Sequence, residues 1–297
     1  MLLPRSFIGI LLTLMTIMFG VGTGLIVKLI GDGIPLVTLL MYRFIFSVPL
    51  LVLPAVLVRG RAFLQINARR TLMVRIGFGC IAMACWFTSI RLLPLGQATA
   101  LLQSSVIFIT LMSPFLLKEK VGPYRWGAVI AGLSGVIIIT NPFSGDVTQT
   151  ALFGLGAALS GAFLAIVLRR LGKGDAPISV ACWYNGSGFL ALSVVVLLYP
   201  SQFHLVSHSI MLDLILLGLI GAAMQIVYTS AYRYADAVAV ASMRYLQMPV
   251  SAAFGYSLFA EIMSIQEIFG ALVIIASCLF IAWRELIRSR EVNQPEI

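Results

Sequence analysis

Arg43, in the run "LLMYRFIFSVP", and Arg244, in "SMRYLQMP", are permanent cations set among apolar neighbours. A guanidinium offers a planar fork of N–H donors that matches a carboxylate or a phosphate. Amides and aromatic rings accompany the two arginines at helical spacing. Arg244, Gln247 and Ser251 fall on one helix face, and Thr99, Gln103 and Thr110 form a second polar stripe. Gln225 and Tyr228 share a face, Tyr42 precedes Arg43, and Trp86, Tyr184 and Asn185 complete the set. Such groups can hold a flat or amphipathic organic molecule with at least one anionic group. Rings would stack on Trp86, Tyr184 or Tyr228, and the forks would take the acid. The expected substrate-binding residues are therefore Arg43, Tyr42, Trp86, Gln103, Tyr184, Asn185, Gln225, Tyr228, Arg244 and Gln247. The alternative for Arg43 is structural, with its donors on backbone carbonyls; for each aromatic it is an interfacial anchor.

Bond-breaking chemistry has no comparable support. Catalytic triads, phosphate-cradling glycine loops and H-E-x-x-H pairs are absent. Cys80, Cys85, Cys182 and Cys278 show no metal-type C-x-x-C pair, and His204 and His208 stand in a loop without ligand partners. Neither an enzyme nor a cofactor is expected.

The elements that must position these side chains follow from composition. Hydrophobic residues make up 60% of the chain and charged residues 10%, with a mean hydropathy of +1.04. A soluble domain carries about 25% charge, so this chain belongs in lipid. Apolar runs of about 17–25 residues cross a bilayer, and lipid forces them to be helices. Ten such runs are present: 7–28, 36–58, 72–90, 95–116, 123–140, 151–169, 177–199, 211–232, 237–259 and 266–284. The first is read as a retained span rather than a cleaved signal. Arg43 then lies about 12 Å into its span, close to the midplane. There it must face the bundle interior, because facing lipid costs at least about 2.5–3.5 kcal/mol.

The net charge of +9 is distributed as a topology signal, so nucleic acid is not an expected partner. With both termini inside, most cations fall in inner collars, including Arg59, Arg61, Arg69, Arg70 and Arg75, Lys118 and Lys120, and Arg169, Arg170 and Lys173. Only Lys28 and Arg91 lie on the opposite side. This positive-inside bias predicts a bacterial-type inner membrane with cytoplasmic termini.

Adding 142 to a position in the first half often meets a matching residue in the second. Lys28 becomes Arg170, Pro35 becomes Pro177, Tyr42 becomes Tyr184, Arg91 becomes Arg233, and Glu119 becomes Glu261. The chain thus reads as an all-α polytopic membrane protein of ten transmembrane helices in two five-helix repeats, 7–140 and 151–284, followed by a cytoplasmic tail, 285–297. Five is odd, so the second repeat enters from the side where the first left and is inverted. Inverted repeats are the recurring architecture of alternating-access carriers, with the substrate site between the halves.

The chain also resembles the drug/metabolite transporter superfamily, EamA type. The likeness lies in "YRFIFSVPLL", in "RLLPLGQATALLQSSVIFITLMSPFLLKEKVGPYRWGAVIAGLSGVIIITNP" and in "AVAVASMRYLQMPVSAAFGYSLFAEIMSIQEIFGALVIIASCLFIAWRE". The family pattern is an alanine-rich span with a proline, a terminal glutamate and then a glycine-bearing span. Pro114, Glu119 and Gly127 match it in one half, and Pro249, Glu261 and Gly270 in the other. The resemblance implies a ten-helix secondary carrier of small metabolites. The first half and the tail "WRE" resemble a branch that includes riboflavin and S-adenosylmethionine importers.

Further expectations concern mechanics. Pro114 and Pro249 are expected to kink their helices, at different depths. Gly127, Ala131 and Gly135, four residues apart, and Gly20, Gly22 and Gly24 are expected to let helices approach closely, with a homodimer contact as the alternative. Glu119 and Glu261 are expected to cap the helices that follow them. No Asp, Glu or His stands mid-span, which predicts facilitated transport or exchange rather than proton coupling, with Asp213 the fallback proton carrier. The reading is a secondary transporter for a small anionic or zwitterionic metabolite. Its alternatives are a broad exporter of drugs or amino acids and a non-transporting membrane scaffold.

Overall fold

The computed structural model describes residues 5–116, 122–140, 148–171, 174–234 and 243–292, and all its regular elements are helical. In chain order they are α1 (Arg5–Ile30), α2 (Leu36–Arg59), α3 (Arg69–Leu92), α4 (Leu95–Gln103), α5 (Ser105–Leu116) and α6 (Pro123–Thr140). The second half supplies α7 (Thr148–Leu171), α8 (Pro177–Leu198), α9 (His208–Tyr234), α10 (Gln247–Phe259) and α11 (Ile265–Val292). Seven segments are long and apolar enough to cross a membrane, one of them running through α4 and α5; α6, α10 and α11 bring the crossings to ten. Glu119, Lys118, Lys120, Asp236 and the loop 141–147 lie outside the described residues, as do the side chains of Arg169, Arg170 and Arg233.

Local chemistry sets the helix starts. Pro35 and Pro94 stand just before α2 and α4, while α6 and α8 open on Pro123 and Pro177. At these positions the missing N–H has no intrahelical partner to lose.

The repeats are packed as exchanged pairs. α1 packs on α9 and α3 on α7, while α2, α4 and α6 each meet their own counterparts α8, α10 and α11. Their inversion is visible at the loops. The end of α2 meets the start of α8, where Arg59 donates to the Ser179 hydroxyl (3.2 Å) and the Asn67 backbone N–H to Asp175 (2.8 Å). The start of α2 meets the far end of α8, where the Thr38 hydroxyl donates to the Gln202 carbonyl (2.9 Å). α2 and α8 are the second helices of their repeats, yet they run in opposite directions.

The fourth crossing was expected as one helix, and it breaks at Ser104. The Ser104 hydroxyl takes the Leu101 carbonyl (2.6 Å), a local bond that competes with the helical ladder. The ninth crossing breaks at Tyr245–Leu246, positions that the 142-residue register matches to Gln103–Ser104. Here Pro249 is the cause: it has no N–H for the Tyr245 carbonyl four residues back and crowds it. That carbonyl instead accepts the Met248 N–H (3.2 Å). The expected proline kink therefore holds in the second repeat. In the first, Pro114 sits inside α5 and the break at Ser104 lies ten residues before it. The two breaks are cross-linked, because the Gln103 side-chain amide donates to the carbonyl of Arg244.

Close helix approach uses fewer of the expected glycines. A Cβ on Gly135 would stand 2.8 Å from the Gly270 carbonyl oxygen, and one on Gly270 2.9 Å from the Gly135 oxygen, so α6 and α11 touch backbone to backbone. Gly127 meets nothing within 4 Å, and it and Ala131 are exposed. Gly135→Val is expected to lower the thermal unfolding midpoint, at about 1–3 kcal/mol of overpacking. Gly127→Ala should leave it level or raise it, within the ~1 kcal/mol of helix propensity gained.

Candidate functional site

A central cavity of about 190 Å³ lies between the repeats, with room for on the order of ten waters. Eight of the ten expected residues line it: Arg43, Trp86, Gln103, Tyr184, Gln225, Tyr228, Arg244 and Gln247. The other two do not. Tyr42 stacks on Phe46 and Phe203, with ring centroids 6.1 and 5.7 Å apart. Asn185 turns back along its own helix and donates to the Ala181 carbonyl (2.9 Å).

Arg75 is the addition. It was assigned to the inner collar beside Arg69 and Arg70, yet its residue is only 2% exposed and lines the cavity. Its guanidinium lies 3.8 Å over the Tyr184 ring and donates to Gln225 (3.0 Å). The Tyr184 hydroxyl in turn donates to the Gly79 carbonyl (3.1 Å). The missed signal was helical phase. Arg75, Gly79, Met83 and Trp86 all line the cavity and sit four, four and three residues apart, on one face of α3.

Glycines make the room. A Cβ on Gly221 would lie 3.1 Å from both Nε and Nη2 of Arg43, and one on Gly79 3.1 Å from Nη1 of Arg75. Arg244 lies 5.2 Å over the Tyr228 ring and reaches its hydroxyl at 3.4 Å. Among the described residues, three guanidiniums thus share one cavity and no carboxylate lines it. Asp213, the fallback proton carrier, does not line it either.

The expected stripes are interrupted. Arg244 and Gln247 stand on opposite sides of the helix break and still both reach the cavity. Thr99, fully buried, spends its hydroxyl on the Leu95 carbonyl (2.7 Å).

The cavity reaches toward the basic loops at 59–69 and 174–176 through Arg75 and Gly79 in the first half of α3 and Leu164 and Ala165 in the second half of α7, and toward the opposite face through Gly20, Thr23, Trp86 and Phe87. At the other face a cluster closes the bundle. Lys28 donates to the Leu93 carbonyl (2.6 Å) and pairs with Glu261, whose second oxygen accepts the Leu95 N–H (2.7 Å). Glu261 was expected to cap the helix after it. It caps α4 of the other repeat, because α11 has its own capping box in which Ser264 and Glu267 exchange bonds of 2.7 and 3.2 Å.

Sequence comparison decides the family. The model of the EamA-like transporter family matches the chain twice, at residues 7–141 and 148–283. The chain belongs to this family. It is an EamA-type member of the drug/metabolite transporter superfamily, an integral multi-pass membrane transporter and not an enzyme. Among its EamA relatives is a "Riboflavin transporter" of Rhizobium johnstonii, 28% identical over 255 residues, covering 84% of this chain and 80% of that protein. An "S-adenosylmethionine uptake transporter" of Rickettsia felis is 27% identical over 259 residues, with coverages of 87% and 86%. "Solute carrier family 35 member G1" of Homo sapiens is 27% identical over 303 residues, with coverages of 96% and 82%. A solved crystal structure shares the fold of this EamA chain, with a TM-score of 0.65 at 17% identity over 93% of this chain and 97% of that one.

Proposed function

We propose that this EamA transporter is a secondary carrier that moves a small organic anion or zwitterion across a bacterial inner membrane by alternating access, its termini in the cytoplasm. The observation that carries this reading is the buried pair Arg43 and Arg75, 4% and 2% exposed. Each keeps Nε and Nη1 without a hydrogen-bond partner, inside a cavity held between inverted halves. An uncompensated buried guanidinium is costly in lipid unless water or an anion meets it. A charged cargo arriving in the cavity supplies that partner.

In this arrangement the basic face is the side from which cargo enters, and the Lys28–Glu261–Leu95 cluster seals the far side. Inverted repeats allow the two faces to exchange these roles. Both the inner-membrane location and the termini rest on the collar of Arg59, Arg61, Arg69 and Arg70.

Proteoliposomes preloaded with a candidate metabolite test the proposal. Riboflavin and S-adenosylmethionine, named for the relatives, and organic phosphates form the first panel. A carrier takes up labelled cargo against its own gradient when the unlabelled form is trapped inside. Saturable counterflow that falls at least about tenfold in Arg43→Gln is the expected result. Flux without counterflow, or counterflow indifferent to Arg43, would reject it.

A further inference from the structure

We infer that the cavity selects cargo bearing a doubly charged oxyanion, a phosphate monoester, and that Arg43 and Arg75 clamp that group while the cargo's ring lies toward Trp86 and Tyr228. This inference rests on the carrier reading and narrows its substrate class.

The charge count comes first. A single carboxylate would neutralise one of Arg43 and Arg75 and leave the other buried without an anion. Among the described residues, none that lines the cavity supplies a carboxylate. The doubly charged end of a phosphate monoester answers both at once. A net cation meets only repulsion in such a lining, so a sulfonium cargo of the S-adenosylmethionine type is the wrong charge for this chain.

Geometry comes second. Arg75 lies flat on the Tyr184 ring at 3.8 Å and is fixed at one end by Gln225. Its Nε and Nη1 have no hydrogen-bond partner; they lie on different edges of the guanidinium, and the second N–H of Nη2 completes an edge with either. Arg43 also leaves Nε and Nη1 without a partner, and its guanidinium is seated against Gly221. One edge of an arginine, Nε with Nη2 or Nη1 with Nη2, engages two oxygens of one phosphate. Two such edges provide four donors to three terminal oxygens. Arg244 differs, being engaged with Tyr228, where it is placed to stack on a ring.

The test uses detergent-purified full chain and matched pairs that differ only in the phosphate. These are riboflavin with riboflavin 5′-phosphate, adenosine with adenosine 5′-monophosphate, and pyridoxine with pyridoxine 5′-phosphate. S-adenosylmethionine is the cationic comparison, and ionic strength is held constant. Equilibrium dialysis is expected to show at least one ester bound about tenfold or more tightly than its alcohol, and no binding of the cation. The preference should vanish in Arg75→Gln. Arg75→Lys, which keeps the charge and loses the fork, should retain a small part of it and guards against a variant that merely fails to fold. If no ester outbinds its alcohol, or if the preference survives Arg75→Gln, the inference is wrong. Counterflow separates the two levels. Counterflow of a neutral or cationic metabolite without ester preference leaves the carrier standing and removes the phosphate. Arg75-dependent ester binding without counterflow of the bound ester does the reverse.

Discussion

Vesicles containing Gly221→Val are expected to lose cargo flux by about tenfold to a hundredfold, as much as those containing Arg43→Gln. Gly221 has no chemistry of its own, yet a Cβ placed there would sit 3.1 Å from two nitrogens of the Arg43 guanidinium and 3.2 Å from its central carbon. Alanine adds only that Cβ, so the flexible end of Arg43 can yield and flux should fall only several-fold. Valine adds two further methyls on a stiff β-branched stem and must push the guanidinium out of its seat. The size of the effect follows from charge-assisted hydrogen bonds worth about 1.5–3 kcal/mol in total. Gly186→Ala is the matched control, because a Cβ at Gly186 meets nothing within 4 Å. Full flux in Gly221→Val, with the protein monodisperse, would show that the seat of Arg43 is irrelevant to transport.

Glu261→Gln should be among the most destabilising single substitutions in the chain. Glu261 and Lys28 are each only about 15% exposed at the side chain, and removing one partner of such a pair costs about 3–5 kcal/mol. The other carboxylate oxygen terminates α4 by accepting the Leu95 N–H. A charge swap of Lys28→Glu with Glu261→Lys therefore restores the ion pair and fails to restore stability, since a lysine cannot accept that N–H. Replacing both residues, as Lys28→Met with Glu261→Gln, should cost less than the sum of the two single changes. Thermal unfolding in detergent reads all four variants, and full recovery in the swap would count against the capping role. The preceding residue adds a smaller effect. Ala260 holds φ at 53°, a left-handed conformation that costs a side-chain-bearing residue roughly 1–2 kcal/mol. Ala260→Gly is accordingly expected to raise the midpoint while leaving the Glu261 contacts in place.

The expected residues that reached the cavity did so for a reason specific to lipid. Arginine, glutamine and aromatic hydroxyls inside an apolar span have nowhere favourable to point except inward, so residue type alone reports direction. The same reasoning failed for Tyr42 and Asn185 because a polar side chain has local options. The Asn185 amide bonds one turn back along its helix, and Tyr42 joins an aromatic stack with Phe46 and Phe203. Arg75 escaped for the opposite reason. Six residues into α3 and close to Arg69 and Arg70, it looked like a headgroup cation, and only the packing of α3 against α7 and α8 shows that it turns inward.

The sequence by itself determined the solvent, the ten crossings, the repeat and its inversion. These follow from the length and oiliness of each run and from an odd count, which are properties of the chain read locally. Tertiary structure decided which partner each buried polar group met. Glu261 caps a helix 166 residues away in sequence, Gln103 holds the carbonyl freed at the opposite break, and Arg75 rests on a ring from the other repeat. Such pairings are set by which backbones lie close enough to touch, and that distance depends on all ten helices packing together.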